Sequence, residues 1–447
     1  MASTYLSRTN GTETTRTKCT FSAWIKYDQT SGTNTIIVAT DDSGANTYFQ
    51  IELKPDIDVQ IRDGSSSTYL RRRSNAKLRD ASGFYHIVVT WDSTLGTADD
   101  RLKIFLNGER ITSFSDNTGT VDSNYNCPLF KSSIPMKIGV GQSGSSNFFS
   151  GIMSHIHATD GYAYEASAFG ETDATTGEWK INTSPSVTYG DNGFFILKNG
   201  NSVTDQSGEG NNWTVGGGTL TNTEDCPSDV FATLNPLDNY YASSSFANGN
   251  TYLNTSSSNY TFNNSTLGYN KGKFYWEIKV TQNSGYDHLG ITSKGSTGST
   301  NYMYDSSYSY CLKQSGVLKE NTGSGQQTVS GFSGTSYSTD IISIAHDADN
   351  NKIYFAKDGV WMNSANPNTP TGGITTTAAS ATDTGVWLPA FGDEYASGAS
   401  IYLVNFGNGY FGTTAISSEG TNASGIGKFE YDVPANHTAI STKGLNE

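Results

Sequence analysis

Charge is scarce in this chain. Of its 447 residues only 16% are Asp, Glu, Lys or Arg, against roughly 25% in ordinary globular domains. What charge there is leans acidic, since 28 basic and 42 acidic residues leave a net −14. Binding to nucleic acid draws on basic side chains that displace phosphate counterions, so no nucleic-acid partner is expected. No run approaches the ~18 consecutive apolar residues of a membrane span. The opening Met-Ala-Ser-Thr-Tyr lacks the basic-then-apolar pattern of a secretory signal. The expectation is synthesis in a cytoplasm, without membrane insertion. Cysteine is sparse too: Cys19, Cys127, Cys226 and Cys311 stand far apart. They form no CxxC pair of the kind that holds zinc, so free buried thiols are expected. Long heptad repeats and collagen-like triplets are also missing, which excludes a self-encoded fibre shaft.

What fills the chain instead is Ser, Thr, Asn and 48 glycines, the residues of turns between short strands. Aromatic content is high, with 26 Tyr, which argues against disorder. The composition is all-β, and the length suits two or three domains. The clearest element is Phe84-Tyr-His-Ile-Val-Val-Thr-Trp-Asp92. Side chains alternate across a strand, so Tyr85, Ile87, Val89 and Trp91 share one face and His86, Thr90 and Asp92 the other. Leu102, Ile104 and Leu106 repeat the alternation, and Asn107-Gly108 closes a tight hairpin that needs positive φ at both residues. Cys19, Phe21, Ala23 and Ile25 line one face of another strand. Thr35–Ala39, Tyr48–Leu53, Met136–Val140 and Phe149–His157 extend the series, with Asp63–Ser67 as a turn-rich spacer before Tyr69.

The second half repeats the pattern. In Lys273-Phe-Tyr-Trp-Glu-Ile-Lys-Val280, Phe274, Trp276, Ile278 and Val280 point inward, and Tyr275, Glu277 and Lys279 outward. Ile341–His346, a polar turn over Asp347–Asn351, and Lys352–Gly359 read as a hairpin. Val386–Phe391 and Ile401–Gly407 complete the set.

These segments carry a resemblance. Tyr5-Leu-Ser-Arg, Phe21-Ser-Ala-Trp-Ile-Lys, Tyr85-His-Ile-Val-Val and Leu102-Lys-Ile-Phe-Leu-Asn-Gly resemble the concanavalin A-like (laminin G-like) jelly roll. The variety is the one common in marine bacteriophage structural proteins. Asn147-Phe-Phe-Ser-Gly-Ile, Phe169-Gly-Glu-Thr-Asp, Thr176-Gly-Glu-Trp, Gly193-Phe-Phe-Ile-Leu and Asp205-Gln-Ser-Gly-Glu-Gly-Asn-Asn-Trp213 are similar to the closing signature of those domains. From Thr233-Leu-Asn-Pro-Leu-Asp onward the strands resemble a SPRY domain, a bent antiparallel sandwich that binds partners through loops. Gly407–Ala415 and Phe429–Pro434 are similar to the ending of phage proteins with this pair. The expected architecture is two antiparallel β-sandwiches, 1–184 and 233–447, joined by a β-rich connector over 185–232 that packs on the first.

Retaining glucanases of the jelly-roll fold share a Glu-x-Asp-x-x-Glu strand that sets a nucleophile beside an acid/base. Here Glu171-Thr-Asp173 is followed by Thr176, with the next acid at Glu178, and Asp56 and Asp58 lack a third acid. No Gly-x-Ser-x-Gly elbow occurs between a strand and a helix. His155 and His157 could face a metal from one strand but lack a third ligand, and a structural role at a sheet edge is expected. Asp347-x-Asp-x-Asn starts like a calcium loop, but Lys352 stands where its Gly belongs. A calcium site at the sandwich rim stays open. No catalytic residue, metal site or cofactor is therefore expected.

Two binding candidates remain. Arg71-Arg72-Arg73, near Lys77 and Arg79, is the one basic cluster. Alternation sends Arg71 and Arg73 to one side and Arg72 to the other, as a solvated edge or a dock for an acidic neighbour. Tyr302 and Tyr304, in a loop, offer rings that stack on sugars or pack at a sandwich end. The resemblance implies a non-enzymatic virion protein, a fibre, appendage or capsid decoration, oligomeric on the particle. Its partners would be other virion proteins or host-surface glycans. Cementing of the particle and polysaccharide cleavage are the alternatives.

Overall fold

The computed structural model describes residues 3–28, 32–41, 47–62, 64, 69–198, 200, 202–241, 244–255, 260–293, 302–394 and 398–446. The Asp63–Ser67 spacer lies, apart from Gly64, outside the described residues. The chain divides into two compact units, Met1–Asn222 and Thr223–Glu447. Both are built of antiparallel sheets, and among the described residues there is no α-helix, only short 3-10 turns.

Among the described residues the first unit has sixteen strands. They are β1 (Tyr5–Thr9), β2 (Lys18–Tyr27), β3 (Asn34–Thr40), β4 (Tyr48–Leu53), β5 (Asp56–Arg62), β6 (Tyr69–Lys77), β7 (Tyr85–Asp92) and β8 (Leu102–Leu106). Then follow β9 (Glu109–Arg110), β10 (Phe114–Thr118), β11 (Pro135–Ile138), β12 (Gly151–Asp160), β13 (Gly170–Thr172), β14 (Trp179–Ile181), β15 (Phe194–Ile196) and β16 (Thr214–Gly217). One sheet runs β10-β6-β5-β4-β3-β11-β1-β16, the other β15-β12-β2-β7-β8-β9. Their facing sides share one core, with Ile37, Phe49 and Val59 from the first sheet and Phe21, Val89 and Trp91 from the second. The period-two alternation read from β2 and β7 is the pattern that fills it.

The far side of the six-stranded sheet is also buried. Val88 and Phe105 pack with Ala166 and Phe169, and Trp179 closes over them from the β13–β14 hairpin. The Asn107-Gly108 turn sits under that ring. Gly108 has φ +84°, and a Cβ there would lie 2.5 Å from Trp179, so positive φ and close approach both demand glycine. Of the segments between the first sandwich strands and residue 222, β15 pairs with β12 and β16 with β1. Thr223 to Ala232 belong to the second unit.

In the second unit one sheet orders Leu234–Tyr241, Thr261–Ser265, Leu388–Asp393, Asp287–Thr292, Ser309–Lys313, Leu318–Asn321 and Gln326–Thr328. The facing sheet centres on Lys273–Gln282, paired with Ile341–Asp347 and Ile401–Asn405. Trp276, Ile278, Leu289, Ile344, Phe355 and Phe391 meet between them. The 347–351 segment is the expected hairpin turn, since Asp347 pairs with Lys352 across it.

Tyr275 and Glu277 do not face water as alternation alone implies. Both are fully buried beneath the C-terminal tail. Phe429 meets the Tyr275 ring edge-on at 5.0 Å. The Glu277 carboxylate accepts the Glu430 and Tyr431 amides, both at 2.9 Å, the Tyr275 hydroxyl at 3.0 Å and the Asn405 amide at 3.2 Å. Four donors compensate a buried carboxyl that would otherwise be costly. A strand's outward positions read as solvent only when nothing later in the chain comes back over them.

Trp91 and Ile104 lie in one core, Trp276 and Phe355 in the other. Trp276→Ala should therefore cost the second unit roughly 3–5 kcal/mol and leave the melting of the first unchanged. Calorimetry of the intact variant checks this, and a uniform lowering of both transitions would contradict separate cores.

Candidate functional site

The first unit has one sheet face that no apolar cluster covers among the described residues: the outer side of its eight-stranded sheet. Its inner side alternates with it, so Ile57, Val59 and Ile61 go to the core while Asp56, Asp58, Gln60 and Arg62 go outward. Strand β5 lies between β4 and β6. The outward residues of these three strands meet in rows.

The arginine cluster belongs to this face. Arg71 grips Asp58 through both nitrogens of its fork, Nε to Oδ1 at 2.9 Å and Nη2 to Oδ2 at 2.6 Å. Its Nη1 lies 3.2 Å from Asp116. Arg73 Nε donates to Asp56 at 2.8 Å, and Lys77 takes the other Asp56 oxygen. Lys54 bridges Glu52 at 2.6 Å and Asp58 at 3.2 Å. Arg72 points the other way, donating to the Thr118 and Gly119 carbonyls at 2.9 Å. The alternation of the three arginines is as expected, but the edge is not, because β10 pairs outside β6. The charges of Arg71 and Arg73 are met by acids of the same sheet rather than by water or a free docking face.

Above this ladder, in register, stand Tyr48, Arg62 and Tyr69. All three are half-buried. The Tyr69 hydroxyl donates to Gln60 at 3.2 Å, and Gln142 donates to Gln50 at 2.8 Å. Burial raises the ionisation of both phenols above the ordinary value, so they remain hydroxyl donors at neutral pH. Sequence reasoning missed this row because β4, β5 and β6 had not been assigned as neighbours.

The other tyrosine pair sits in the second unit. Tyr302 and Tyr304 stack at 5.1 Å, but Tyr304 is buried, its hydroxyl donating to Glu394 at 2.7 Å. Glu394 also meets His288 at 3.0 Å and Lys313 at 2.5 Å. Tyr304 is thus a buried partner of a carboxylate and offers no ring face to a sugar, which corrects the loop reading. Tyr302 keeps a partly exposed ring, edge-on to Tyr260 at 4.9 Å. Asn301 lies outside the described residues.

The acids considered for hydrolysis are otherwise occupied. Asp173 accepts the Thr175 and Thr176 amides, both at 2.8 Å, and Lys180 at 2.6 Å. Lys180 first, then those amides, hold its carboxyl well below the ordinary range. Glu52 and Asp58 are cross-strand partners, the closest approach to a two-acid arrangement on this face. Burial pushes Asp58 up, yet Arg71 and Lys54 together outweigh it and leave the group below its ordinary value. A general acid needs the opposite shift.

His157 is buried, its Nδ1 2.9 Å from the Tyr189 hydroxyl, its ring stacked on Phe195 at 3.9 Å. His155 occupies a bulge with φ +47° beside Ser154. No group of three or more His, Cys, Asp or Glu converges among the described residues. Asp347 and Asp349 spend their oxygens on Lys273, Asn350 and the Gly272 amide. Beside that turn lies a shallow cleft of 330 Å³ lined by Asn270, Asp349, Asn351 and Ser380, without an aromatic wall. All four cysteines are free, with Cys226 half-buried and the others buried.

Residues 2–167 match the family model of the concanavalin A-like lectin/glucanases superfamily, of laminin G type. Among solved structures, the SPRY domain of human HERC1 is similar at 16% identity over 38% of this chain and 96% of that one, with a TM-score of 0.28. The native heptameric SAP-like pentraxin from Limulus polyphemus is similar at 15% identity over 35% of this chain and 70% of that one, with a TM-score of 0.24. No curated protein matches the chain.

Two outcomes are expected from this geometry. Arg71→Ala leaves buried Asp58 with Lys54 and Gln60 alone, and should cost the first unit roughly 1.5–3 kcal/mol in urea unfolding. Arg71→Lys should restore only part, because an ammonium lacks the fork. In the second unit, Asp287 and Asp393 face each other across paired strands, both buried. Burial first, and then the facing carboxylate, push Asp287 from 3.8 to about 7 against the hydrogen bond from Ser400. Across that window the folded unit keeps a proton that the unfolded chain has released, so its stability falls as pH rises. Melting curves between about pH 4 and 7 should show this decline, and Asp287→Asn should reduce it, leaving the part due to Glu277, which burial also raises to about 7.

Proposed function

We propose that this chain is a non-enzymatic structural component of a bacteriophage virion that displays binding surfaces. It serves as a fibre, appendage or capsid decoration, oligomeric on the particle, for attachment to host-surface glycans or contact with neighbouring virion subunits. The phage setting is supported by the resemblance of the closing segments, Asn147–Ile152 and Asp205–Trp213, to phage jelly-roll modules. The similarity of residues 2–167 to the lectin/glucanases superfamily supports carbohydrate or protein binding as the task.

The observation that carries the reading is the outer face of the eight-stranded sheet. It is polar, left open by the apolar packing, and fringed by the half-buried rings of Tyr48 and Tyr69. A hydrolase would keep two carboxyls on such a face free to exchange protons. Here Asp56 and Asp58 are locked by Arg73, Lys77, Arg71 and Lys54. The face therefore suits holding a partner without altering it.

Purified chain incubated with host-envelope polysaccharide or β-glucan is expected to bind without releasing reducing ends. Release that disappears in Glu52→Gln, or in Glu171→Gln with Asp173→Asn, would establish hydrolysis instead. A density map of the intact particle checks the location. The chain should appear on the exterior with the β4–β6 face outward, and burial of that face against the shell would favour the cementing role.

A further inference from the structure

The basic residues on the open face are not equivalent. Lys54, Arg71, Arg73 and Lys77 each meet an acid of the same sheet. Arg62, at the end of β5, meets none among the described residues, although acids outnumber bases 42 to 28 in the chain. It is half-buried, and no acid of the sheet supplies it with a counter-charge among the described residues. Its register neighbours are aromatic on both sides, Tyr48 on β4 and Tyr69 on β6. In the next row Gln60 and Gln50 are buried, their amides tied to neighbours, and form a fixed floor beside the three side chains.

We infer that this row is a subsite for an anionic polysaccharide, with Arg62 gripping the acidic group of one residue while Tyr48 and Tyr69 pack against sugar rings on either side. The inference rests on the binding reading above and specifies its ligand class. A planar guanidinium fork matches two oxygens of a carboxylate or a sulfate. A tyrosine offers an apolar ring face together with a hydroxyl that reaches sugar oxygens. A neutral glycan would bring no opposite charge to Arg62, whereas an acidic sugar would.

The test uses the full chain with three polymers: polygalacturonate, dextran sulfate and uncharged dextran. Affinity electrophoresis or calorimetry should show binding to one of the two acidic polymers and not to dextran; which one identifies a carboxylate or a sulfate ligand. Arg62→Gln should weaken that binding by about tenfold or more, a change of about 1.4 kcal/mol, with melting unchanged. Tyr48→Ala and Tyr69→Ala should each weaken it as well. Arg110→Gln removes the same unit of charge from a residue paired with Asp100 and should leave binding intact. Acidic polymer bound equally by Arg62→Gln and the parent chain would overturn the subsite while leaving glycan binding elsewhere standing. Equal weakening by Arg110→Gln would also overturn it, as general charge attraction. If no polymer, charged or neutral, binds the parent chain, the subsite and the glycan half of the broader reading fall together.

Discussion

The outer face of the first sandwich depends on one pairing: the buried carboxylate of Asp58 in the two-pronged grip of Arg71. A carboxylate without solvent is costly unless opposite charge and donors surround it. Once Arg71 and Lys54 supply them, the strands that carry these residues are held in one register. A slip of a single residue would turn Arg71 toward the core and Leu70 outward. The same pairing decides what the face can do. It ties Asp58 and Arg71 to each other, while Arg62, on the same strand as Asp58, meets no acid among the described residues.

Each sandwich disposes of a second face by different means. In the first unit the hairpin of β13 and β14 lays Trp179 over Val88 and Phe105. In the second the tail returns over Tyr275, and Glu277 fastens it with two backbone amides. Apolar side chains beneath a cover are stabilised by leaving water, so neither face is free to meet a partner. The polar ladder of the first unit stands on the side that no such cover reaches among the described residues.

Strand positions were legible in the sequence because alternation reports directly on burial. Phe21, Val89, Trp91, Trp276 and Ile278 all fell on the expected side. What escaped was whatever depends on a third layer or on strand neighbours. Glu277 looks like a solvent position until the tail is known to return, and Tyr304 looks like a loop ring until Glu394 is known to lie beneath it. The arginines had a readable clue that went unused. Asp56-x-Asp58 and Arg71-x-Arg73 share a two-residue spacing on consecutive strands, the pattern of opposite charges facing one another across a hairpin. Tyr48, Arg62 and Tyr69 carry no such local mark, since their row exists only through the pairing of three strands.

The ends of each unit are stitched to one another. Tyr5 lies against Gly217, and Ala232 donates its amide to the Ile440 carbonyl at 2.8 Å. During synthesis, therefore, a first strand waits on the ribosome with an unpaired edge until the last piece of its own unit has been made. Contacts between residues so distant in sequence form slowly. The first sandwich can close while the second is still being translated, and the second only once its tail has emerged. The order of assembly is written into the chain by where its closing strands stand.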